Sequence, residues 1–407
     1  MSEKTPLYPK ISPQFGFQTQ EMAVRVLPKK SKLYIGVPKE ASFQEKRVAL
    51  TPESVALLVN NGHRVVVETN AGKKSNFSDR SYSEVGAEIA YDLEKVFEAD
   101  IIVKVGPLSL KEMEQVRPQQ TIFSSIHLPT LKAEYVKKLM TKKLTAIAYE
   151  YIQDESGSFP MVRSISEIAG YSAIQIGAQY LSHFGKGQGI LLGGISGVPP
   201  AKVIILGAGV VGEFATRAAL GLGAEVRIFD NNVYKLMRLQ NNLHTRLYTS
   251  TINPDTLQKE LPEADLVIGA IHSESGRTPC VVSENMVASM KEGAVIVDVS
   301  IDQGGCFETS KVTNHKEPIF YKYGIVHYCV PNISSLVSKT ASTALSHVLT
   351  PILLNVNRYR GIQNLIQASR GTRHGVYIYK GSLTNEYLGE RFGLKSMKID
   401  LLIASSF

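Results

Sequence analysis

A glycine-rich segment carries the strongest chemical signal in this sequence of 407 residues. Gly207, Gly209 and Gly212 lie in the run GAGVVG, which follows a short apolar segment and precedes a predicted helix. In that context the first glycine permits a tight turn, the second lets the backbone approach a pyrophosphate, and the third lets helix and strand pack closely. The partial positive charge of the helix N-terminus would bind the phosphates. The alternative is an ordinary strand–helix–strand crossover in which the glycines serve packing alone.

An acidic residue after the glycines narrows the choice of dinucleotide. Asp230 ends the next apolar segment, about 20 residues further along the chain. A carboxylate there accepts hydrogen bonds from an adenosine ribose and repels a 2′-phosphate, which favours NAD over NADP. Lys235 is the nearest cation, and it either touches the ribose edge or is a solvated helix lysine.

Strands and helices alternate on both sides of this motif. The predicted strands are 33–37, 63–67, 101–105, 120–126, 144–148, 203–206, 266–271, 294–299 and 376–379. A long helix is predicted to begin at Ser164, in a capping box with Glu167, and to run to about His183. The other predicted helices are 52–61, 82–85, the one that follows the glycines, 345–356, and one that begins near Asn385.

This alternation implies parallel sheets covered by helices on both faces. We therefore predict an α/β fold of two doubly wound, Rossmann-like domains, with the nucleotide-binding domain inserted into the other. The predicted parts are an N-terminal extension (1–31), a first domain (32–163), the nucleotide-binding domain (164–338) and a C-terminal part that returns to the first domain (339–407).

Composition excludes several functional classes. Apolar residues make up 43% of the chain and charged residues 20%, as in soluble globular proteins. The net charge of +8 is dispersed, so no nucleic acid partner is predicted, and it suits an anionic cofactor and a small acidic substrate. Cys280, Cys306 and Cys329 form no CxxC pair, which predicts reduced thiols in a cytoplasmic protein. No metal site is predicted.

The N-terminal segment is not typical of a targeting sequence. Residues 1–31 lack the apolar core of a signal peptide, and no stretch of the chain reaches the ~18 apolar residues of a membrane span. We expect no membrane partner, and we interpret these residues as an extension that lies against a neighbouring subunit or stays partly disordered.

Five further segments make the sequence similar to the alanine dehydrogenase and transhydrogenase α-subunit family. The resemblance covers nearly all of residues 33–390, and IDQGGC and HYCVPN resemble the dehydrogenase branch rather than the proton-translocating transhydrogenases. The segments are IGVPKE (35–40), KRVALTP (46–52), SEIAG (166–170), VDVSIDQGGC (297–306) and HYCVPN (327–332).

The resemblance implies an NAD-dependent enzyme, usually hexameric, that interconverts L-alanine with pyruvate and ammonia. It places Arg47 on the substrate carboxylate, a suitable partner because a guanidinium pairs with carboxylates in a bidentate manner. It makes His127 the general acid/base, and Asp302 the aspartate that binds ammonia or orients the nicotinamide ribose. Without the resemblance, each of these residues has a structural alternative. Arg47 is as consistent with a solvated turn residue, His127 could be a strand-end histidine that makes a backbone hydrogen bond, and Asp302 could be a helix N-cap. The implied cofactor-binding residues are Ser166, Gly207, Ala208, Gly209, Val210, Val211, Gly212, Asp230, Lys235, Ile271, Asp302 and Asn332.

The chain departs from the family at one position of the substrate site. Family members carry a second, substrate-binding lysine in a Lys-x-Lys-x-Pro-like strand end, and this chain has Gly106 there. Lys104 remains, and as residue i−2 it is expected to face the same side, ~7 Å further back along the strand. Either Lys104 substitutes as the substrate-binding residue, or a different substrate supplies its own group, or activity is largely lost.

Two alternative functions stand beside the dehydrogenase. The departure at Gly106 suggests the first, an NAD-binding protein with an altered substrate or weakened catalysis, used as a sensor or as a subunit of a larger assembly. The second, independent of Gly106, is a transhydrogenase α-like subunit, which would require membrane segments or a partner chain.

Asp230→Ala should weaken NAD binding and reduce discrimination against NADP, because the carboxylate that binds the ribose and repels a 2′-phosphate is removed. Titration of both variants with NADH and NADPH measures the effect. The hypothesis is wrong if the unaltered protein binds both dinucleotides equally tightly.

Overall fold

The structure, a computed structural model, describes residues 32–42, 44–128, 131–185, 187–273 and 276–405. The predicted extension 1–31 therefore lies outside the described residues. Within those ranges the strands form two mostly parallel sheets, and helices cover both faces of each. Elements are numbered along the chain.

The first sheet has the order β15-β14-β6-β5-β4-β1-β2-β3. Its first six strands along the chain run parallel, whereas β14 is antiparallel to β6 and β15 to β14. Strands β14 and β15 from the C-terminal part of the chain thus belong to this sheet. The strands are β1 (Tyr34–Val37), β2 (Arg64–Glu68), β3 (Glu88–Ala90), β4 (Ile101–Val103), β5 (Thr121–Ser124), β6 (Thr145–Ala148), β14 (Val376–Tyr379) and β15 (Ser382–Leu383).

The second sheet has the order β12-β13-β11-β10-β7-β8-β9, with β12 alone antiparallel to its neighbour among the strands described. It lies between β6 and β14 in the chain, so the unit that contains the glycine motif is inserted into the first one. The strands are β7 (Lys202–Leu206), β8 (Glu225–Phe229), β9 (Tyr248–Ser250), β10 (Leu266–Gly269), β11 (Val295–Asp298), β12 (Ile319–Lys322) and β13 (Ile325–Tyr328).

Two long helices connect the units. α6 (Pro160–Leu181) enters the second unit and α11 (Ser338–Arg358) leaves it, and they pack against each other. The remaining helices are α1 (Pro52–Asn60), α2 (Asp79–Glu84), α3 (Leu93–Val96), α4 (Leu110–Gln115), α5 (Ala133–Thr141), α7 (Val210–Gly221), α8 (Val233–Leu243), α9 (Pro254–Glu260), α10 (Glu284–Ala288), α12 (Ile362–Ala368), α13 (Arg370–His374), α14 (Glu386–Phe392) and α15 (Ile399–Ala404).

Apolar cores lie on both faces of each sheet. Along β7, Val203 and Ile205 belong to one core, and Ile204 and Leu206 belong to the core on the opposite face. Because side chains alternate along a strand, a run that is apolar throughout can bury both faces at once. None of the described helices combines the length and apolarity needed to cross a lipid bilayer. All three cysteines are free.

The predicted start of the long connecting helix is wrong. α6 begins at Pro160, whose missing N–H and fixed φ suit the first position of a helix. Ser164 lies inside the helix, where its hydroxyl donates to the Pro160 carbonyl at 3.0 Å, and Glu167 pairs with Arg163 instead of forming a capping box.

Serines from the second half of the chain bind the backbone of the loop that follows β1. The N–H groups of Lys46, Val48 and Thr51 donate to the hydroxyls of Ser335, Ser342 and Ser346, each at 2.9 Å. These serines, which we call the serine row, are fully buried, and two of them lie on one face of α11. The serine row therefore holds in place a loop whose described residues pair with no strand.

Ser342→Ala should lower the free energy of unfolding by roughly 1–3 kcal/mol, because it leaves the buried Val48 N–H without an acceptor. Thermal unfolding and amide hydrogen exchange of residues 46–51 measure the loss. Thr343→Ala is the matched control, since that hydroxyl bonds only to the Lys339 carbonyl of its own helix. Equal effects of the two substitutions would contradict a role for the serine row.

Candidate active site between the two sheets

The carboxyl ends of the parallel strands of both sheets meet between the two units. The first sheet contributes the loops that follow β1, β4, β5 and β6, and the second contributes those that follow β7, β8, β10, β11 and β13. Ligands of open α/β sheets bind outside these ends. Every predicted site residue except Ser166 and Lys235, which lie on α6 and α8, belongs to one of these loops or to the first turn of α7.

Arg47 is held by a carboxylate two residues earlier. Its Nε and Nη2 donate to the two oxygens of Glu45, each at 2.7 Å, and its Nη1 donates to Ser334 Oγ at 3.1 Å. Burial opposes the charge of each partner, but their attraction raises the pKa of Arg47 and lowers that of Glu45 overall. Because the Nε side of the fork is taken by Glu45, a bound carboxylate must meet the Nη1–Nη2 edge.

Asn332 joins the two halves of the site. This residue has a left-handed backbone (φ 59°), its N–H donates to Asp302 Oδ1 at 3.0 Å, and its amide Nδ2 donates to Glu45 Oε2 at 2.8 Å. Asp302 is exposed to solvent at the edge of the site. Desolvation by the surrounding protein atoms raises the pKa of Asp302, while the Asn332 N–H and the Arg47 charge partly offset the rise.

His127 lies at the end of β5 in an unusual backbone conformation. Its φ of 48° is left-handed, which is uncommon for a residue with a side chain. The preceding Ile126 N–H donates to Glu150 Oε1 at 2.7 Å, and the backbone of His127 also interacts with that carboxyl. The His127 side chain reaches solvent, but desolvation by the surrounding protein and then the Arg47 charge lower its pKa, so its imidazole is neutral at neutral pH. Burial likewise raises the pKa of Glu150 to about 7.

Lys104 lies inside a cluster of buried charges. Its Nζ is 3.3 Å from Glu40 Oε2 and 3.0 Å from Glu112 Oε1, and its side chain is 2% exposed. Burial opposes its charge, but the two carboxylates raise the pKa of Lys104 overall. Its ammonium therefore interacts with protein carboxylates, and a direct contact with substrate stays a prediction. Gly106 follows two residues later and donates its N–H to Glu40 Oε2 at 3.3 Å.

The glycine loop fits a dinucleotide. A Cβ on Gly212 would lie 1.9 Å from the Gly207 carbonyl oxygen, so only glycine allows α7 to pack this closely. A Cβ on Gly209 would meet no atom within 4 Å, which leaves the open approach that a pyrophosphate needs at the start of α7. Asp230 accepts the Ala208 N–H at 2.7 Å and the Asn232 N–H at 2.7 Å, which fixes its carboxylate beside the loop. Each oxygen retains a lone pair for a ribose hydroxyl.

The other predicted cofactor residues have different surroundings. The backbone nitrogen of Ile271 packs against Gly207. A Cβ built on that glycine would lie 3.1 Å from this nitrogen. Ser166 is half-buried on α6, one turn before Gly170, which packs against Val211. Lys235 is exposed on the first turn of α8, and its contact with the ribose stays a prediction.

Sequence reasoning missed three carboxylates that position the predicted residues. Glu45 orients Arg47, Glu150 holds the backbone that presents His127, and Glu40 binds the end of β4 through the Val105 N–H at 2.7 Å. Glu40 ends the IGVPKE segment and Glu45 lies two residues before the arginine, whereas Glu150 had no such sequence signal.

Glu150→Gln should reduce turnover several-fold and remove a titration near pH 7 from the pH profile, because a neutral amide replaces a carboxyl with a raised pKa. Cofactor affinity should stay unchanged, since Glu150 is on the other sheet. Glu155→Gln, on an exposed loop, is the control. An unchanged pH profile would contradict a positioning role for Glu150.

Comparison with known proteins identifies the family to which the chain belongs. Residues 36–169 match the family model "Alanine dehydrogenase/PNT, N-terminal domain" and residues 173–386 match "Alanine dehydrogenase/PNT, C-terminal domain". Alanine dehydrogenase 2 of Staphylococcus aureus strain USA300 is 38% identical over 367 residues, which is 90% of this chain and 98% of that protein.

Two solved structures extend the comparison. An L-alanine dehydrogenase superposes with a TM-score of 0.84 at 37% identity, over 88% of this chain and 99% of the other. A transhydrogenase from Sinorhizobium meliloti gives 0.73 at 24% identity, over 87% and 99%, and shows likeness of fold alone. With both family models matched along its length, the chain belongs to the alanine dehydrogenase/PNT family.

Proposed function

We propose that this protein is an NAD-dependent alanine dehydrogenase, which converts L-alanine, NAD and water to pyruvate, ammonia and NADH. The observation that supports this most is the hydrogen-bonded chain Arg47–Glu45–Asn332–Asp302, which links a carboxylate-binding arginine in one unit to the aspartate in the other. A protein that only binds dinucleotide needs no such chain.

Each residue has a role that its surroundings support. Arg47 binds the substrate carboxylate through the Nη1–Nη2 edge that Glu45 leaves accessible. His127 is neutral and solvent-accessible, so its imidazole can take a proton from the water that attacks the substrate carbon and can return it to the leaving amine. Asp302 accepts a hydrogen bond from the substrate amino group, while Asn332 keeps its carboxylate in place.

The nucleotide would bind on the glycine loop. Gly209 and the first turn of α7 face the pyrophosphate, Asp230 accepts the adenosine ribose hydroxyls, and Ile271 lines the loop. NAD supplies the acceptor for the hydride that leaves the substrate carbon. A homohexamer in the cytoplasm is proposed on the resemblance to the family.

The direct test is NADH oxidation by the purified protein with ammonium and a panel of 2-oxo acids that includes pyruvate. Turnover of pyruvate supports the proposal. NADH binding without turnover of any 2-oxo acid would instead favour a dinucleotide-binding sensor, the alternative suggested by Gly106.

Arg47→Lys should raise the Michaelis constant for the 2-oxo acid roughly 10- to 150-fold, which corresponds to the ~1.5–3 kcal/mol of a charged hydrogen bond. A lysine keeps the charge but loses the planar fork. The matched control is Arg80→Lys, at a guanidinium that pairs with Glu84 on the exposed face of α2. Unchanged kinetics would make Arg47 a structural partner of Glu45 only.

A further inference from the structure

The buried Gly106 leaves space for a side chain just after the end of β4. Among the described residues beyond its two chain neighbours, only Glu40 Oε2 would lie within 4 Å of a Cβ built on it, at a close 3.3 Å. Its φ is not left-handed, so the backbone here does not require glycine. A group that occupies this space would therefore lie against the Glu40 carboxyl.

The charges around this opening are unbalanced. The carboxylates of Glu40 and Glu112 share the single ammonium of Lys104, and all three side chains are at most 8% exposed. Burial outweighs the attraction of Lys104 and, with the repulsion of Glu45, raises the pKa of Glu40 to about 7. One more positive charge beside Glu40 would keep it ionised and balance the cluster.

The opening lies beside the substrate site. The Val105 carbonyl accepts hydrogen bonds from Ser125 Oγ at 2.8 Å and from Tyr149 Oη at 2.5 Å, which ties the end of β4 to the strand ends that carry His127 and Glu150. The charge of Glu40 also acts on Arg47, the proposed partner of the substrate carboxylate.

We propose that Glu40, reached through the space at Gly106, is a specificity-determining residue that binds a side-chain ammonium of the substrate. The substrate class is then 2-amino acids with a second, terminal amino group, together with their 2-oxo forms, in addition to alanine. The ammonium lies where a side chain at position 106 would lie, with its charge against Glu40 Oε2. This inference rests on the proposed dehydrogenase function.

Isosteric substrate pairs test the contact. The pairs are 2,4-diaminobutyrate with norvaline and ornithine with norleucine, in each of which an ammonium replaces a methyl group. We expect kcat/KM for at least one diamino acid to exceed that of its partner tenfold or more. Preference for the neutral member of every pair would overturn the proposal and leave the alanine dehydrogenase function intact.

Two substitutions test whether Glu40 causes the preference for diamino acids. Glu40→Gln keeps the shape and one acceptor, for the Val105 N–H, but removes the charge, so the ratio of kcat/KM within a pair should fall about tenfold. Gly106→Lys places an ammonium of the protein in the same space, so the ratio should fall while alanine turnover rises. Glu112→Gln is the matched control, because that carboxylate also contacts Lys104 but does not face Gly106. If Glu112→Gln lowers the ratio of kcat/KM equally, net charge rather than contact with Glu40 sets the preference, and the proposal is overturned.

Calorimetry separates failure of this inference from failure of the proposed function. If no amino acid is turned over, the dehydrogenase function fails, but binding of each pair to the NADH-loaded protein still tests the contact. Tighter binding of the diamino acid, lost in Glu40→Gln, supports it. Equal binding within each pair overturns it.

Discussion

The pairing of Arg47 with Glu45 on a loop bound by the serine row is the interaction on which the site depends. That loop has neither helix nor strand, so its buried N–H groups need acceptors from elsewhere. The hydroxyls of Ser335, Ser342 and Ser346 supply them from 289 to 295 residues away in the sequence. Helix α11, which leaves the inserted unit, and Ser335 just before it thus shape the loop that follows β1.

The buried charges of the site orient side chains more than they stabilise the fold. A buried ion pair costs desolvation that its attraction repays only with good geometry, and Glu45 meets Arg47 in a bidentate fork while also accepting from Asn332. The Arg47–Glu45 pair has no net charge, so the N–H groups of Arg47, rather than an excess positive charge, orient a bound carboxylate. The cluster of Glu40, Lys104 and Glu112 differs, because it keeps one carboxylate more than its ammonium can balance.

Errors in the predicted elements cluster where the chain leaves a sheet. The strands predicted at 101–105, 120–126 and 266–271 end at Val103, Ser124 and Gly269. In each case a buried apolar residue follows the last strand residue within two positions, namely Val105, Ile126 and Ala270, so the apolar pattern extends beyond the strand itself. The start of α6 shows a second kind of error, in which a proline at the first helical position decided the boundary over a downstream capping pattern.

By itself the sequence determined the features that are encoded locally. The apolar runs predicted most of the central strands of both sheets but not the edge strands β3, β9, β12 and β15. GAGVVG predicted the strand–loop–helix unit, because close packing there tolerates only glycine, and the resemblance identified Arg47, His127 and Asp302 as candidates. Tertiary structure decided which groups partner them. Asn332 reaches Glu45 across 287 residues, and Glu150 supports the backbone beside His127 from a neighbouring strand end. The i−2 spacing placed Lys104 on the face of residue 106, but only packing put its ammonium between two buried carboxylates, because no local pattern specifies contacts between distant strand ends.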